Sequence, residues 1–426
     1  MRRLRRRRAV VFEAGGHPLY IRKITVNNWM IHKATTAELF PVTVFVGFNN
    51  GGKSALFDAL LNFSMVSRGR LSQAFGQGPY SFAQRRHRGA AASARVGYTV
   101  ELAESPDATE FVTYHITYAQ QRASADAPKY SIYDETLTDS KGKALFDRGS
   151  EVFQIKGVSD YVTDDASIFA AIRRGQVKGT YKDTNPLVTH LAREISRISK
   201  FRLDPATLAR PARLPETVPG DPAETRAPRL DYSGDDLAGV LYYLAETADP
   251  RLDDLTTAIG TVIDGFDGFE FNTVGSDRIG FLARFADSRG TVPAANLSDG
   301  TLSLIGLEVL LRNPDRPPVM CLEEPENGLT PKATRAVYEA IVAAASGEGA
   351  SQILVSSHSP YVICEAWNGE ERDFIYQVKP EEGRSVIRPF KSVIEEHQIH
   401  LSKDNDGKRT KLNLGVANEV MAGYYS

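Results

Sequence analysis

A glycine-rich loop that ends in lysine and serine carries the clearest chemistry in this sequence. The loop runs from Gly47 to Ser54 and fits the spacing G-x-x-x-x-G-K-[ST]. Residues 42–46 before it have the apolar pattern of a buried strand, and residues 55–61 after it have the apolar spacing of a helix. The N–H groups of such a loop and the positive end of the helix attract phosphate. The sequence therefore predicts a nucleoside triphosphate site.

The residues of this loop have separate expected roles. Gly47 and Gly52 allow the backbone to approach the phosphates, Lys53 reaches the terminal phosphates, and Ser54 offers a hydroxyl to Mg²⁺. We predict that nucleotide binding in the loop involves Gly47, Asn49, Asn50, Gly51, Gly52, Lys53 and Ser54.

Two adjacent carboxylates follow a second apolar segment, residues 319–322. Ligands bind at the carboxyl ends of strands in open α/β sheets, so Glu323 and Glu324 are expected to face the nucleotide. Neighbouring positions on a strand point in different directions, which makes two roles available. Glu323 is predicted to hold the Mg²⁺ water shell, and Glu324 is predicted to accept a proton from the attacking water.

A histidine and a glutamine are further candidates for the same site. His358 ends a third strand-like segment, residues 352–357, and is predicted to hydrogen-bond the γ-phosphate or the attacking water. Gln73, Gln77 and Gln84 lie in a loop-like region, residues 68–92, and one of them is a candidate to complete the Mg²⁺ shell or to position water. Gln84 is preferred because a strand-like segment, residues 95–102, follows it closely. The alternative for Gln84 is a solvated loop side chain, and the sequence does not decide between the two.

Ser298 and Gly300 precede a helix-like segment, residues 302–311. A serine at a helix start with a nearby glycine offers a hydroxyl and bare N–H groups to an anion. Taken alone this motif is a helix cap. Beside a nucleotide loop it is also a candidate phosphate contact.

The composition is that of an ordinary globular chain. Its 426 residues are 42% hydrophobic and 24% charged, and the formal net charge is −2. Cys321 and Cys364 lie in apolar surroundings and are expected to be small buried hydrophobes. We find no apolar run of membrane-spanning length and no secretory segment. These features favour a cytoplasmic location and no membrane partner.

The expected fold class is α/β, with a mixed sheet flanked by helices, an antiparallel β subdomain and an inserted helical domain. Residues 1–18, which contain six arginines, are expected to be a basic disordered leader. We predict a first lobe at 19–165, with an antiparallel meander over 95–160, and a helical insertion at 166–275. A proline-rich linker is predicted at 204–228, within the insertion. A second lobe at 276–426 holds the remaining motifs.

The motifs, taken together and in this order, resemble an ABC-type ATPase head of the SMC/RecF/OLD-like branch. This branch includes standalone AAA-labelled ATPases of bacterial anti-phage defence systems. The matching stretches are Gly47–Ser54, Leu297–Thr301, Glu323–Leu329 and Ser357–Pro360. The resemblance implies a P-loop ABC-type head that uses ATP and Mg²⁺, and in which two heads enclose two ATP molecules.

The resemblance also implies a role for each matching residue. Ser298 and Gly300 contact the γ-phosphate bound by the opposing subunit, Glu324 is the general base, and His358 is the switch histidine. The implied catalytic set is Glu324, His358 and Lys53, and the metal set is Ser54, Glu323 and Gln84. Many ABC enzymes have aspartate where this chain has Glu323, and many relatives have histidine where Thr330 stands. Neither departure removes a group that hydrolysis requires.

The same resemblance suggests what the ATPase is for. The signature Leu-Ser-Asp-Gly-Thr differs from that of transporters, and residues 359–426 are too few for the Toprim nuclease domain of OLD-like proteins. The leading hypothesis is a self-assembling ATP-driven switch that controls a separate effector protein, such as a nuclease or toxin, in anti-phage defence. The alternatives are a RecF/SMC-like ATPase that binds DNA in repair, and a scaffold that binds ATP with little turnover.

Overall fold

A computed structural model gives the fold of the chain. It describes residues 19–76, 81–91, 93–121, 129–148, 152–153, 165–173, 186–214, 228–347, 349–369, 374–399, 401–403 and 410–421. The predicted leader, residues 1–18, lies outside these ranges, as does most of the predicted proline-rich linker, residues 215–227.

Strands occur along the whole described chain. The first ten are β1 (Tyr20–Trp29), β2 (His32–Glu38), β3 (Val42–Val46), β4 (Val96–Ala103), β5 (Val112–Gln120), β6 (Tyr130–Asp139), β7 (Ala144–Asp147), β8 (Val152–Phe153), β9 (Ser199–Phe201) and β10 (Ala212–Arg213). The others are β11 (Phe266–Val274), β12 (Arg278–Phe285), β13 (Thr291–Pro293), β14 (Val319–Glu323), β15 (Gln352–Ser357), β16 (Ile375–Glu381), β17 (Arg384–Pro389), β18 (Ser402–Lys403) and β19 (Thr410–Lys411).

The helices are concentrated after the loop motif and in the second half of the chain. They are α1 (Lys53–Arg68), α2 (Leu71–Ala74), α3 (Phe82–Arg85), α4 (Ile168–Arg173), α5 (Pro186–Ile195), α6 (Pro205–Leu208), α7 (Leu237–Glu246), α8 (Arg251–Val262), α9 (Asp299–Arg312), α10 (Pro331–Ala344), α11 (Pro360–Asn368), α12 (Phe390–Glu396) and α13 (Leu414–Met421). None of the helices in the described part of the chain combines the length and the apolar content needed to cross a bilayer.

The central sheet has the strand order β17-β16-β3-β15-β14-β9. Its strands run parallel, except that β17 is antiparallel to β16. All five residues of β3 are buried because both faces of the sheet are covered, and all but Thr43 are apolar. Since β3, β14 and β15 are parallel neighbours, the loops that follow them meet at one edge. These are the three loops in which the sequence analysis predicted the P-loop, the two carboxylates and His358.

A second, antiparallel sheet has the order β2-β1-β4-β5-β6-β7-β8, and the predicted meander is confirmed for its described strands. One core cluster joins this sheet to helix α1 and to one face of the central sheet. Phe57 and Phe63 of α1 meet Tyr98 and Tyr114 of the antiparallel sheet in it, and Phe45 enters from β3. The helix that begins at the P-loop is therefore held between two sheets.

The other face of the central sheet is covered by helices and by a small sheet, β10-β12-β11, to which β13 also pairs. Two predicted boundaries differ from this arrangement. The division at 275/276 falls in the turn of the β11–β12 hairpin. In addition, β9 belongs to the central sheet although it lies within the predicted helical insertion, because it pairs in parallel with β14.

Residues 204–214 are not an exposed linker, which corrects the first part of the predicted stretch 204–228. Asp204 caps the short helix α6, and Leu208 in that helix is fully buried. Strand β10 pairs Ala212 with Ile279. The prolines of this part break it into short elements, and the apolar residues between them pack into the core.

Candidate nucleotide-binding site

The glycines of the P-loop lie where side chains do not fit. Gly47 and Gly52 have φ of +145° and +111°, in the region that favours glycine. A side chain at Gly47 would clash with the Val378 carbonyl, and a Cβ at Gly51 would lie 2.6 Å from the same oxygen. Strand β16 therefore packs directly against the P-loop. With glycine at these positions, the backbone of the P-loop can also lie close to a ligand.

Lys53 occupies the first turn of α1 and is buried. Its ammonium group donates hydrogen bonds to the carbonyl oxygens of Gly47 at 2.5 Å and Phe48 at 3.0 Å. Burial lowers the pKa of Lys53, and the charges of Glu324 and its neighbouring carboxylates oppose part of that effect. The lysine is therefore held at the loop and faces the acidic end of β14.

His32 and Ser385 anchor the loop, and neither role was predicted from the sequence. The Nε2–H of His32 donates to the Gly52 carbonyl at 3.0 Å, and Nδ1 lies 3.1 Å from the Thr35 hydroxyl. The Ser385 hydroxyl donates to the Gly51 carbonyl at 2.7 Å. A single histidine in a strand matches no sequence motif that would predict a contact with the P-loop. The contact between His32 and Gly52 is therefore visible only in the structure.

The titration of His32 gives a testable pH dependence. Burial lowers the pKa of His32 to about 4, although the hydrogen bond to Gly52 opposes the shift. Because the folded-state pKa lies below the ordinary value, this contribution to stability is present above pH 6.5 and is lost as the pH falls toward 4. Relative to His32→Gln, the wild type should lose roughly 3 kcal/mol of unfolding free energy between pH 7 and pH 4.

Chemical denaturation of both chains at a series of pH values measures this difference. The variant serves as the control, since it keeps a hydrogen-bond donor near Gly52 and contains every titratable group of the wild type except His32. Parallel pH curves for the two chains would contradict a buried neutral His32.

Glu323, at the end of β14, is buried in a network of charges. Its Oε2 lies 3.2 Å from the Lys200 ammonium group and 3.4 Å from the Tyr232 hydroxyl. Lys200 also pairs with Asp58 on α1 at 2.7 Å, and Asp58 pairs in turn with Arg85 at 2.7 Å. Burial lowers the pKa of Lys200, but the charges of Asp58 and Glu323 outweigh this effect, so the pKa of Lys200 is raised overall. The network fixes Glu323 relative to the helix that carries Ser54.

Lys200 and Asp58 were absent from the predicted site. Lys200 stands between the apolar residues Ile198 and Phe201 and is itself only 9% exposed at the side chain. A cation buried in this way needs carboxylate partners. The segment also contains Arg197, Ser199 and Arg202, so the sequence carries no clear sign that Lys200 is buried.

Glu324 and His358 lie together at the carboxyl edge of the sheet. The Nδ1 of His358 is 3.3 Å from Glu324 Oε1, and the Arg202 guanidinium is 3.8 Å from Oε2. Glu324 has φ of +48°, and its N–H donates to the Ser356 carbonyl of the neighbouring strand. A left-handed glutamate costs energy and is characteristic of functional sites. Glu324 therefore has different partners from Glu323, which pairs with Lys200.

Glu326 positions the turn that carries His358. Its buried carboxylate accepts a hydrogen bond from the Ser357 hydroxyl at 2.5 Å, and the Ser359 N–H donates to the same hydroxyl at 2.9 Å. Burial raises the pKa of Glu326, and the hydrogen bond from Ser357 opposes that shift. The loop after β14 and the loop after β15 are therefore joined by one buried contact.

The signature motif begins α9, as predicted, with Ser298 as its N-cap. The Ser298 hydroxyl accepts a hydrogen bond from the Thr301 N–H at 3.1 Å, and the residue is exposed. Gly300 packs so closely on Gly328 that any side chain there would clash with the Gly328 carbonyl. The motif therefore lies beside the loop that follows the two carboxylates.

Gln84 is exposed in the four-residue helix α3. Within the described part of the chain, no contact joins it to Ser54 or Glu323. Its neighbour Arg85 is the residue that reaches α1, through Asp58. The role of Gln84 as a magnesium ligand stays a prediction.

The match to a protein-family model decides the family. Residues 42–364 match AAA_21, described as "AAA domain, putative AbiEii toxin, Type IV TA system". The chain belongs to this family. No curated protein sequence gives a significant match.

Solved structures of SMC heads are similar to this AAA-family chain. An SMC head bound to the C-winged helix domain of ScpA is 13% identical, with a TM-score of 0.48, covering 87% of this chain and 97% of the other. The SMC head domain from Thermotoga maritima is 15% identical, with a TM-score of 0.42, covering 87% and 98%. The Pyrococcus furiosus Smc head bound to the C-terminal domain of ScpA is 13% identical, with a TM-score of 0.45, covering 89% and 99%.

The fold of this family member is α/β, with mixed sheets flanked by helices and a P-loop between β3 and α1. Members of the family typically use ATP and Mg²⁺, and the site fits both. Only glycine fits at Gly47, Gly51 and Gly52, where a Cβ would clash with the Val378 carbonyl or the Ser385 side chain, and such a glycine loop binds phosphate through its backbone N–H groups. The buried Oε1 of Glu323 has no hydrogen-bond partner among the described residues, which suits a hydrated cation.

The magnesium site does not depend on a cluster of protein ligands. The described residues contain no group of three or more His, Cys, Asp or Glu side chains that could hold a metal ion. Mg²⁺ in nucleotide sites usually keeps several waters and uses one or two protein ligands together with the phosphates. Ser54 and Glu323 are the residues that would hold it here, where it would neutralise charge on the transferring phosphate.

Proposed function

We propose that the chain is an ATP-hydrolysing switch subunit that assembles through shared ATP sites and controls a separate effector in bacterial anti-phage defence. Two copies would enclose two ATP molecules. The P-loop of one copy would bind the phosphates, and Ser298 and Gly300 of the other would contact the γ-phosphate.

One observation carries the assembly part of this proposal. Ser298 is exposed and caps its own helix beside Gly328, and the next residue, Asp299, lines a pocket of about 310 Å³ with Glu323 and Glu324. No described contact joins the signature motif to the P-loop of the same chain. An exposed serine with N–H groups at a helix start is a suitable phosphate contact for a second copy.

The chemistry of hydrolysis would use residues on either side of the γ-phosphate. Lys53 and Ser54 would hold the phosphates and Mg²⁺, and Glu324 would take a proton from water as the water attacks phosphorus. His358, at 3.3 Å from Glu324, would orient that carboxylate or the water. The left-handed backbone at Glu324 supports this role, because a strained backbone of this kind is found mainly at functional sites.

The defence role draws on the family description, which names a toxin and a Type IV TA system. A toxin–antitoxin setting fits an ATPase that governs a partner protein. The partner in this proposal is a nuclease or toxin on a separate chain, and the trigger is a signal produced by the invader.

Replacing the general base tests the hydrolysis part of the proposal. Glu324→Gln should reduce ATP turnover by about 100-fold or more, because the amide cannot accept the proton, and should leave ATP affinity within a few-fold of the wild type. Phosphate release and ATP titration measure the two quantities. Glu339→Gln, an exposed position on α10, is the matched control. Undiminished turnover in Glu324→Gln would assign the base to another residue.

A further inference from the structure

A cleft of about 580 Å³ lies along β9, at the edge of the central sheet. Helix α1 contributes Leu61 and Arg68 to one wall, and α9 contributes Val309 and Leu310 to another. None of the P-loop residues lines it. Its volume falls within the range of small-molecule sites in proteins. The cleft is therefore a separate candidate site from the one that binds the nucleotide.

Positive charge dominates the lining of the cleft. Two carboxylates line it, and one of these, Asp315, pairs with Arg229 at 3.1 Å. The other, Asp231, accepts hydrogen bonds from the backbone N–H groups of Ser233 and Asp235. The cationic residues of the lining are Arg68, Arg173, Arg197, Lys200, Arg229 and Arg316. The lining thus carries more positive charge than its own carboxylates balance.

Arg68, Arg173 and Arg316 line the cleft without a carboxylate partner among the described residues, and Arg316 is already held by the Ser351 hydroxyl and by backbone carbonyls. Of the other two, the guanidinium of Arg68 donates only to the Ser64 hydroxyl, at 3.2 Å, within the part of the chain that the structure describes. Both side chains line the same cleft, and burial and the charge of Arg173 lower the pKa of Arg68. Guanidinium groups donate charge-assisted hydrogen bonds to phosphate oxygens, so a phosphate in the cleft would supply the missing counter-charge.

The lining also contains an apolar surface. Leu230 and Val240 face the cleft together with Val309 and Leu310 of α9. An inorganic ion would leave this surface in contact with water. A ligand that joins phosphate groups to an apolar or aromatic body would cover both parts of the cleft.

We propose that this cleft binds a phosphorylated small molecule about the size of a nucleotide, with its phosphates on Arg68 and Arg173. The ligand would lie beside Lys200, which also lines the cleft and whose ammonium group pairs with Glu323. One side chain thus separates the cleft from the expected magnesium ligand. The proposal concerns a second site and does not depend on ATP hydrolysis at the first.

Calorimetric titration of the full chain with inorganic pyrophosphate tests the cleft. The Lys53→Ala background suppresses binding at the P-loop, so the remaining binding reports the second site. Adding Arg68→Gln and Arg173→Gln should weaken pyrophosphate binding by about tenfold or more, because two charge-assisted contacts are lost. The matched control adds Arg210→Gln and Arg278→Gln, two exposed arginines outside the cleft, and should bind as the background does.

Two results would overturn the proposal. One is the absence of pyrophosphate binding in the Lys53→Ala chain, in which the cleft residues are unchanged. The other is equal binding by the cleft variant and its control. A readout by hydrogen exchange guards against misfolding, because pyrophosphate should slow exchange in residues 61–68 of the chain with an intact cleft. If the wild-type chain did not hydrolyse ATP, the proposed function would be contradicted, but the proposal for the cleft would still stand.

Discussion

Lys53→Ala is expected to weaken ATP binding by about 100-fold, because it removes a buried ammonium group from the phosphate site. In the structure this group donates only to the Gly47 and Phe48 carbonyls of its own loop. Its contacts within the protein are therefore local, and the variant should keep its fold. Titration with a fluorescent ATP analogue measures the loss.

The exposed residue Lys332 provides the control for this experiment. It lies in α10, and its one described ion pair, with Asp264, is at the surface at 3.5 Å. Lys332→Ala should bind ATP as the wild type does. Wild-type affinity in a folded Lys53→Ala chain would remove the basis for a P-loop nucleotide site.

Ser298→Arg is expected to abolish most ATP turnover while leaving ATP binding intact. The serine lies at an exposed helix start, so the loss of its cap should cost only about 1 kcal/mol of stability. A long cation at this position would obstruct the approach of a second copy and remove its phosphate contact. We expect a reduction in turnover of about 100-fold, comparable to the loss of other preorganised donors. Unchanged turnover would contradict the shared site.

Mixing two inactive variants separates a shared site from local damage. Lys53→Ala and Ser298→Arg chains each lack one half of a composite site. A mixed pair has one complete site, formed by the P-loop of the Ser298→Arg chain and the signature motif of the Lys53→Ala chain. Partial recovery of turnover on mixing is therefore expected. No recovery, with both chains folded and able to associate, would place all the catalytic groups in one chain.

The local parts of this site could be predicted because each motif carries its own pattern. The apolar strand before Gly47, the two acids after residue 322 and the polar turn at His358 all have the expected secondary structure. Parallel pairing of three such strands then brings their ends together. The Ser298 cap could be predicted equally well, since serine before an apolar helical segment is a strong signal for a helix start.

The parts that escaped prediction depend on contacts between distant segments. Strand β9 is three residues long and contains a lysine, so its periodicity gave no reason to place it in the central sheet. Its pairing with β14 is what brings Lys200 to Glu323. His32 likewise reaches Gly52 only because the first two strands fold over the P-loop. Such contacts follow from topology, which one sequence does not specify.

The solution mass of Glu324→Gln, measured by light scattering with and without ATP and Mg²⁺, tests the central claim most directly. Removing the general base should trap the ATP-bound state, and the shared-site arrangement predicts that the mass at least doubles when ATP and Mg²⁺ are added. The same chain carrying Lys53→Ala as well should show no increase. A mass that is the same with and without ATP, whether that of one copy or of a standing assembly, would contradict assembly through shared ATP sites.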